Sequence, residues 1–413
     1  MRLDRDARLL FTTRALRMFG YGFVSVVLVL YLAAIGLPDP EIGLLLTLTL
    51  LGDAAISLWL TTHADRVGRR RVLVAGSLLM AGAGLGFAAS SSLAVLIVAA
   101  TIGVISPSGN EVGPFLAVEQ ASLAQTIPDS GRTRVFAWFN LTGSFATATG
   151  ALAGGTLAGV LISAGRSSVD AYRTVIVGYA VVAVVLALVF TRVSRAVEAP
   201  AAPDVSVARR LGLHRSQRTV ARLSALFALD AFGGGFVVQS LIAYWFHLRF
   251  GADPGVIGAA LFGANMLAGF SALAAARIAD RIGLVRTMVF THLPSNVLLI
   301  LVPVMPTLPL AVIVLLARFS ISQMDVPTRQ SYTMAVVDPD ERSAAAGITG
   351  IARSVGAAMS PLAAAPLIGG VALAGLPFVL AGGLKIVYDA LLYRSFRGLS
   401  EHRTGAKAPA PRT

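Results

Sequence analysis

Cysteine is absent from the 413 residues, so disulfides and thiolate metal sites are excluded. The five histidines do not cluster, which argues against a structural zinc site. Charge is scarce: Asp, Glu, Lys and Arg make up 13% of the chain against 56% hydrophobic residues, far from the balance of a soluble domain. No Gly-x-x-x-x-Gly-Lys-Ser/Thr loop occurs, so ATP hydrolysis is not the drive. No nucleophile and base fall together, so an enzyme is not expected, and no cofactor is implied. The first apolar stretch has no small-residue cleavage site and reads as a spanning helix, not a signal peptide.

What is present is hydrophobic length. Apolar segments fall at 15–36, 41–63, 71–90, 93–124, 135–162 and 172–192, then at 219–248, 255–278, 286–305, 308–336, 344–368 and 373–394. About 20 residues suffice to cross the hydrocarbon, and backbone groups in lipid must bond internally. The expectation is an all-α polytopic membrane protein with twelve transmembrane helices. Residues 1–192 would form one six-helix bundle and 219–394 a second. A cytoplasmic linker would run over 193–218 and a disordered tail over 395–413. The net charge of +13 could suggest nucleic acid, but the arginines flank apolar segments instead of forming a stripe. They gather on one side, at Arg2, Arg5 and Arg8, around residue 66 and residue 134, through 192–218, and at 277–286, 342 and 394–403. The positive-inside rule makes that side cytoplasmic, with both termini on it.

The chain also repeats itself. Ala64-Asp65-Arg66-Val67-Gly68-Arg69-Arg70 is echoed by Ala279-Asp280-Arg281-Ile282-Gly283, and Ile42-Gly43 by Ile257-Gly258. These residues resemble the loop between the second and third helices of the major facilitator superfamily. The likeness covers essentially the whole chain and runs toward bacterial twelve-helix efflux-type members. It implies secondary transport by alternating access, a bacterial inner membrane and a working monomer. It also implies gating by Asp65, Arg66, Gly68 and Arg69, and by Asp280, Arg281 and Gly283. In the family that aspartate helps hold the outward-facing state. Gly150-Ala151-Leu152-Ala153-Gly154-Gly155 is similar to a glycine motif of family antiporters, with alanine where they have proline. Close helix packing through small residues is the rival reading.

Charges within spans are costly and mark function by default. Glu111 and Asp325 lie in paired stretches of the fourth and tenth spans, 106–114 and 320–327, each with a carboxylate followed closely by proline and an amide nearby. Bent helices near the midplane make binding sites in repeat-built transporters. With Asp230 and Asp53 they are the proton-coupling candidates. Arg329, four residues from Asp325, shares its helix face, so a static ion pair is the rival reading there, as it is for Lys385 and Asp389. Glu119 and Arg329 are expected near span ends, where snorkelling lowers the cost. Candidate solute ligands are Asn110, Glu111, Asn140, Phe232, Gln239, Asn265, Gln323, Asp325 and Arg353. Trp138, Phe139 and Tyr332 are further aromatic candidates, and Tyr244, Trp245 and His247 read as interface anchors. The first functional reading is proton-coupled export of a small organic compound. The alternatives are import or facilitated diffusion of an organic anion or nutrient, and a non-transporting scaffold or sensor.

Overall fold

A computed structural model describes residues 4–111, 113–126, 132–194, 197–198, 213–338, 341–370 and 372–404. Arg2, the linker from 199 to 212, the tail from 405 and the side chain of Asp65 lie outside the described residues. The described chain is helical throughout. The first half holds α1 (Arg5–Ser25), α2 (Leu28–Ala34), α3 (Asp39–Val67), α4 (Arg69–Ala89), α5 (Leu93–Ile102), α6 (Phe115–Thr126), α7 (Arg132–Ser163) and α8 (Ser168–Phe190). The second holds α9 (Gln217–Gly235), α10 (Gln239–Phe250), α11 (Pro254–Ile282), α12 (Leu284–Leu301), α13 (Leu308–Phe319), α14 (Asp325–Val336), α15 (Arg342–Met359), α16 (Pro361–Gly369) and α17 (Leu376–Thr404).

Among the described residues, ten helical stretches are long and apolar enough to cross a membrane. The expected fourth and tenth spans instead begin with short apolar helices, α5 and α13, which stop well before their partners α6 and α14 start. Sequence chemistry accounts for the long ends. Pro40 and Pro254 sit in the first turns of α3 and α11, where the missing N–H is no loss. Both helices stop at a glycine with positive φ, Gly68 at 105° and Gly283 at 85°. The two echoed loops therefore share one backbone device.

The halves meet at one end of the molecule. The face carrying the start of α1 and the end of α17 is termed the terminal face, and its opposite the distal face. On the distal side, α3 packs along α15 and α16, and α7 along α11. The echoed Ile-Gly pairs are where this happens. A Cβ on Gly43 would lie 2.6 Å from the Pro361 carbonyl, and one on Gly258 would lie 2.7 Å from the Ala151 carbonyl. Tyr244 donates to Asp39 across the halves at 2.8 Å. One large apolar core joins both halves through α2, α10 and α11. Toward the terminal face the remaining clusters separate. One, around Leu10 and Phe139, belongs to the first half, and others, around Phe227 and around Val220, belong to the second. Among the described residues the contacts named between the halves are thus distal, and the terminal-side clusters are each confined to one half.

Candidate functional site

The two interrupted spans build the interior. Between α5 and α6 the chain turns through Pro107, Gly109 (φ 67°) and Gly113 (φ 81°), conformations that keep it from closing a helix. Between α13 and α14 a turn over 320–324 does the same, and Pro327 falls in the first turn of α14. Each break delivers a carboxylate to midspan, Glu111 in one and Asp325 in the other.

In the first half Glu111 and Glu119, the latter on α6, meet two arginines of α1. Arg17, fully buried, bonds both oxygens of buried Glu119 at 2.8 Å and reaches Glu111 at 3.0 Å. Arg14 pairs with Glu111 from the other side, and Thr13 donates to Glu119 at 2.8 Å. Phe115 and Phe139 stack under the two guanidiniums, at 4.6 and 5.2 Å from ring centre to Cζ. Glu119 is therefore a core ion pair, not a snorkelling end group. Neither arginine was singled out from the sequence, although two cations three residues apart in an apolar stretch are a legible signal. Asp53 is different. It accepts from the Gly113 amide at 2.6 Å and from Ser57 at 3.4 Å, and no ion pair reaches it among the described residues.

The second half carries a larger network on five helices. Asp230 takes Lys385 at 2.6 Å and Arg329 at 3.1 Å, with Arg353 and His292 each at 3.7 Å. Arg329 also bonds Asp325 at 2.9 Å, so this i,i+4 pair is real and Arg329, too, is buried. Lys385 does not pair with Asp389. Asp389 accepts from Asn296 at 3.0 Å and lies 2.9 Å from His292. His292 had no sequence signal beyond being a histidine within a span.

Several expected ligands are engaged elsewhere. Gln239 donates to Ser25 of α1 at 2.6 Å and accepts from Asn265 at 3.0 Å, and the Ser240 amide donates to the Pro107 carbonyl at 3.0 Å. Gln239 and Asn265 thus form a polar knot between the halves. Asn110 and Asn140 are exposed, Phe232 and Gln323 are half-buried, and the Gln323 amide donates to Ser271. Phe139 and Tyr332 are buried in core clusters, whereas Trp138 is exposed. Tyr244 and Trp245 are buried in the distal core instead of sitting at an interface. An apolar cavity of about 460 Å³ opens between α1 and α7, lined by Leu16, Phe19 and Phe145 among others. It contains no ionisable group. The Gly150–Gly155 run is consumed by packing: Gly150 and Gly154 lie against Phe19 and Phe23 carbonyls, and Gly155 against Pro254 and Gly258 of the second half.

At the charged turns, Arg66, Asp280 and Arg281 are exposed. Arg69 is buried, and the Arg69 and Arg70 amides donate to Glu198 at 2.6 and 3.3 Å. A carboxylate thereby caps the start of α4. Glu341 does the same for α9. The Ser216 hydroxyl and the amides of His214, Arg215 and Ser216 hold its carboxyl down to about 2.

The family model described as Major Facilitator Superfamily matches residues 10–361 and 250–412. The chain belongs to this superfamily. An uncharacterized membrane protein of Saccharomyces cerevisiae, YJR124C, is 30% identical across 96% of this chain and 95% of its own length. Solved structures share the fold at low identity. A D-xylose–proton symporter aligns with TM-score 0.71 at 14% identity, over 94% of this chain and 97% of its own. The nucleoside transporter NupG gives 0.70 at 13%, over 95% and 100%. An inward-facing bacterial homologue of the lysosomal transporter Spinster gives 0.68 at 15%, over 98% of both. The superfamily is one of transporters and not of enzymes, so this is a multi-pass membrane protein of secondary transport.

Proposed function

We propose that this superfamily member is a proton-coupled transporter of a small organic compound, and that Asp53 carries the proton. The supporting observation is the contrast among the carboxylates deep in the spans. Protonating Glu111, Glu119, Asp230 or Asp325 abandons a buried cation, which costs several kcal/mol, of order 3–5. Protonating Asp53 abandons none, because its partners are a peptide N–H and a hydroxyl. Glu111 then positions α1 against the broken fourth span, and Asp325 and Asp230 do the same within the second half.

In this reading twelve crossings form two six-helix bundles, with α5–α6 and α13–α14 each serving as one broken span. Both termini are cytoplasmic, in a bacterial inner membrane, and the monomer is the working unit. The distally closed arrangement is the inward-open state. The turns at Asp65–Arg69 and Asp280–Gly283 close the cytoplasmic side when the cycle reverses. Export is the first direction read from the sequence. Its support weakens here, since the Gly150–Gly155 run has a packing role, and the part-exposed Arg353 favours import of an anionic solute as the second reading. Thermal stabilisation of the purified protein by sugars, amino acids, cationic drugs and organic anions, at pH 6 and pH 8, tests the proposal. A stabilising compound whose effect depends on pH in the wild type and not in Asp53→Asn is expected. An unchanged pH dependence in that variant would remove Asp53 from coupling.

A further inference from the structure

Arg353 is a surplus cation. Both oxygens of Asp230 are already bonded, Oδ1 to Lys385 and Oδ2 to Arg329. Arg353 approaches Oδ2 only to 3.7 Å, its Nη1 is buried without a hydrogen-bond acceptor, and its side chain is 35% exposed. Taken as one network linked through Asp230, Arg318, Arg329, Lys385 and Arg353 stand against Asp230, Asp325 and Asp389, four cations to three carboxylates. His292 adds a positive charge whenever it is protonated. Arg318, unremarked in the sequence, lies within electrostatic reach of Asp230 and Asp325, and its Nε also lacks an acceptor.

The first half shows the opposite imbalance. Arg14 and Arg17 are matched by Glu111 and Glu119, and Asp53 is left over. The two surplus groups stand level with each other. α3 runs antiparallel to α15 and α16, Gly43 lies against Pro361 and Asp39 against Gly369. Moving along both helices from these contacts brings Asp53 to the depth of Arg353, within about one turn, or ~5 Å. The groups facing Asp53 are few. Ser57 shares its helix, Tyr21 of α1 and Tyr179 of α8 are within electrostatic reach, and α5 and α16 carry no ionisable residue. Of the other helices packed on α3, α2 carries Tyr31, α4 carries Arg69, Arg70 and Arg71 at its start on the terminal face, and α6 carries Glu119, paired with Arg17. Glu111 in the adjoining break is already neutralised by Arg14 and Arg17, and Arg353 is the charged residue that α15 brings to this level.

We propose that the solute is an organic monoanion held by Arg353, and that the proton on Asp53 admits it. This rests on the transport reading above and names its substrate class. With Asp53 ionised and His292 neutral, the two walls sum to zero and an entering anion adds net charge to a low-dielectric cavity. With Asp53 protonated, the cavity carries one net positive charge, and the anion restores neutrality. Anion and proton then travel together.

The test uses purified full-length protein with benzoate and lactate as anions, glucose as a neutral probe and tetraphenylphosphonium as a cation. Thermal stabilisation is read at pH 6 and pH 8. An anion is expected to bind at least tenfold more tightly at pH 6 than at pH 8. With His292→Gln as background, so that no other group in the network gains charge over this range, Asp53→Asn should bind it equally at both, and Arg353→Gln should lose tenfold or more, with Arg353→Lys partly retaining it. Should Arg353→Gln fail to fold, the Arg353→Lys loss and the Asp53→Asn profile carry the test. Undiminished anion binding in Arg353→Gln overturns the proposal. Stabilisation by glucose or tetraphenylphosphonium alone, accompanied by proton movement in proteoliposomes, overturns the anion class and leaves transport standing. Silence of every probe in both assays overturns both.

Discussion

Replacing Gly155 by alanine is expected to push the resting ensemble toward distal opening. The added Cβ would stand 2.3 Å from the Pro254 carbonyl and 2.8 Å from Gly258 Cα, where 3.4–4 Å is ordinary contact. Both neighbours are backbone of the other half, so no side chain can yield. The two helices must part by about 1 Å, and overpacking of this kind costs typically 1–3 kcal/mol. That cost falls on the distally closed state, in which α7 and α11 touch. At about 1.4 kcal/mol per tenfold, the population ratio shifts by roughly 5- to 150-fold. The chain has no cysteine, so introduced labels report without background. Spin labels at exposed Arg166 and Arg249 report the distal face, and labels at Val67 and Arg281 the terminal face. The expected result is a longer distance for the first pair and a shorter one for the second, in the same preparation. Lengthening of the distal pair with no change on the terminal face would refute a rocking exchange and leave only local strain.

Glu119→Gln leaves the fully buried Arg17 with half its partners, and a loss of about 3–5 kcal/mol is expected in denaturant unfolding, partly recovered by the double variant Arg17→Met/Glu119→Gln. Glu341 gives an acid signature. Its folded-state value of about 2 lies below its ordinary 4.5, so its contribution is complete above 4.5 and is lost as pH falls toward 2. Thermal unfolding of Glu341→Gln should accordingly differ from wild type above pH 4.5 and converge with it near pH 2.

Much of the fold is legible in the sequence because lipid imposes a strict length and polarity rule. The charged turns carry their glycines where positive φ ends a helix, the Pro/Gly-rich stretch at 106–114 falls in the break between α5 and α6, and the polar run 320–325, followed by Pro327, marks the break before α14. The i,i+4 pair Asp325–Arg329 follows from helix geometry alone. Partners on different helices do not. Arg17 and Glu119 are far apart in sequence, and nothing in either segment says which faces meet. The same holds for His292 with Asp389, and for Gln239, whose amide reads as a free ligand until Ser25 and Asn265 appear beside it. Glycines mislead in the other direction. Gly150, Gly154 and Gly155 resemble a functional motif, yet each lies against a backbone carbonyl of another helix.

The most direct test of the account is proton movement driven by solute. Wild type and Asp53→Asn are reconstituted in proteoliposomes containing a trapped pH dye, and benzoate, lactate, glucose or tetraphenylphosphonium is added outside. A lumenal pH change is expected for one of these with the wild type, and none beyond protein-free vesicles with Asp53→Asn, although that variant still binds the same compound. An equal pH change in both proteins would contradict Asp53 as the site where the proton is carried.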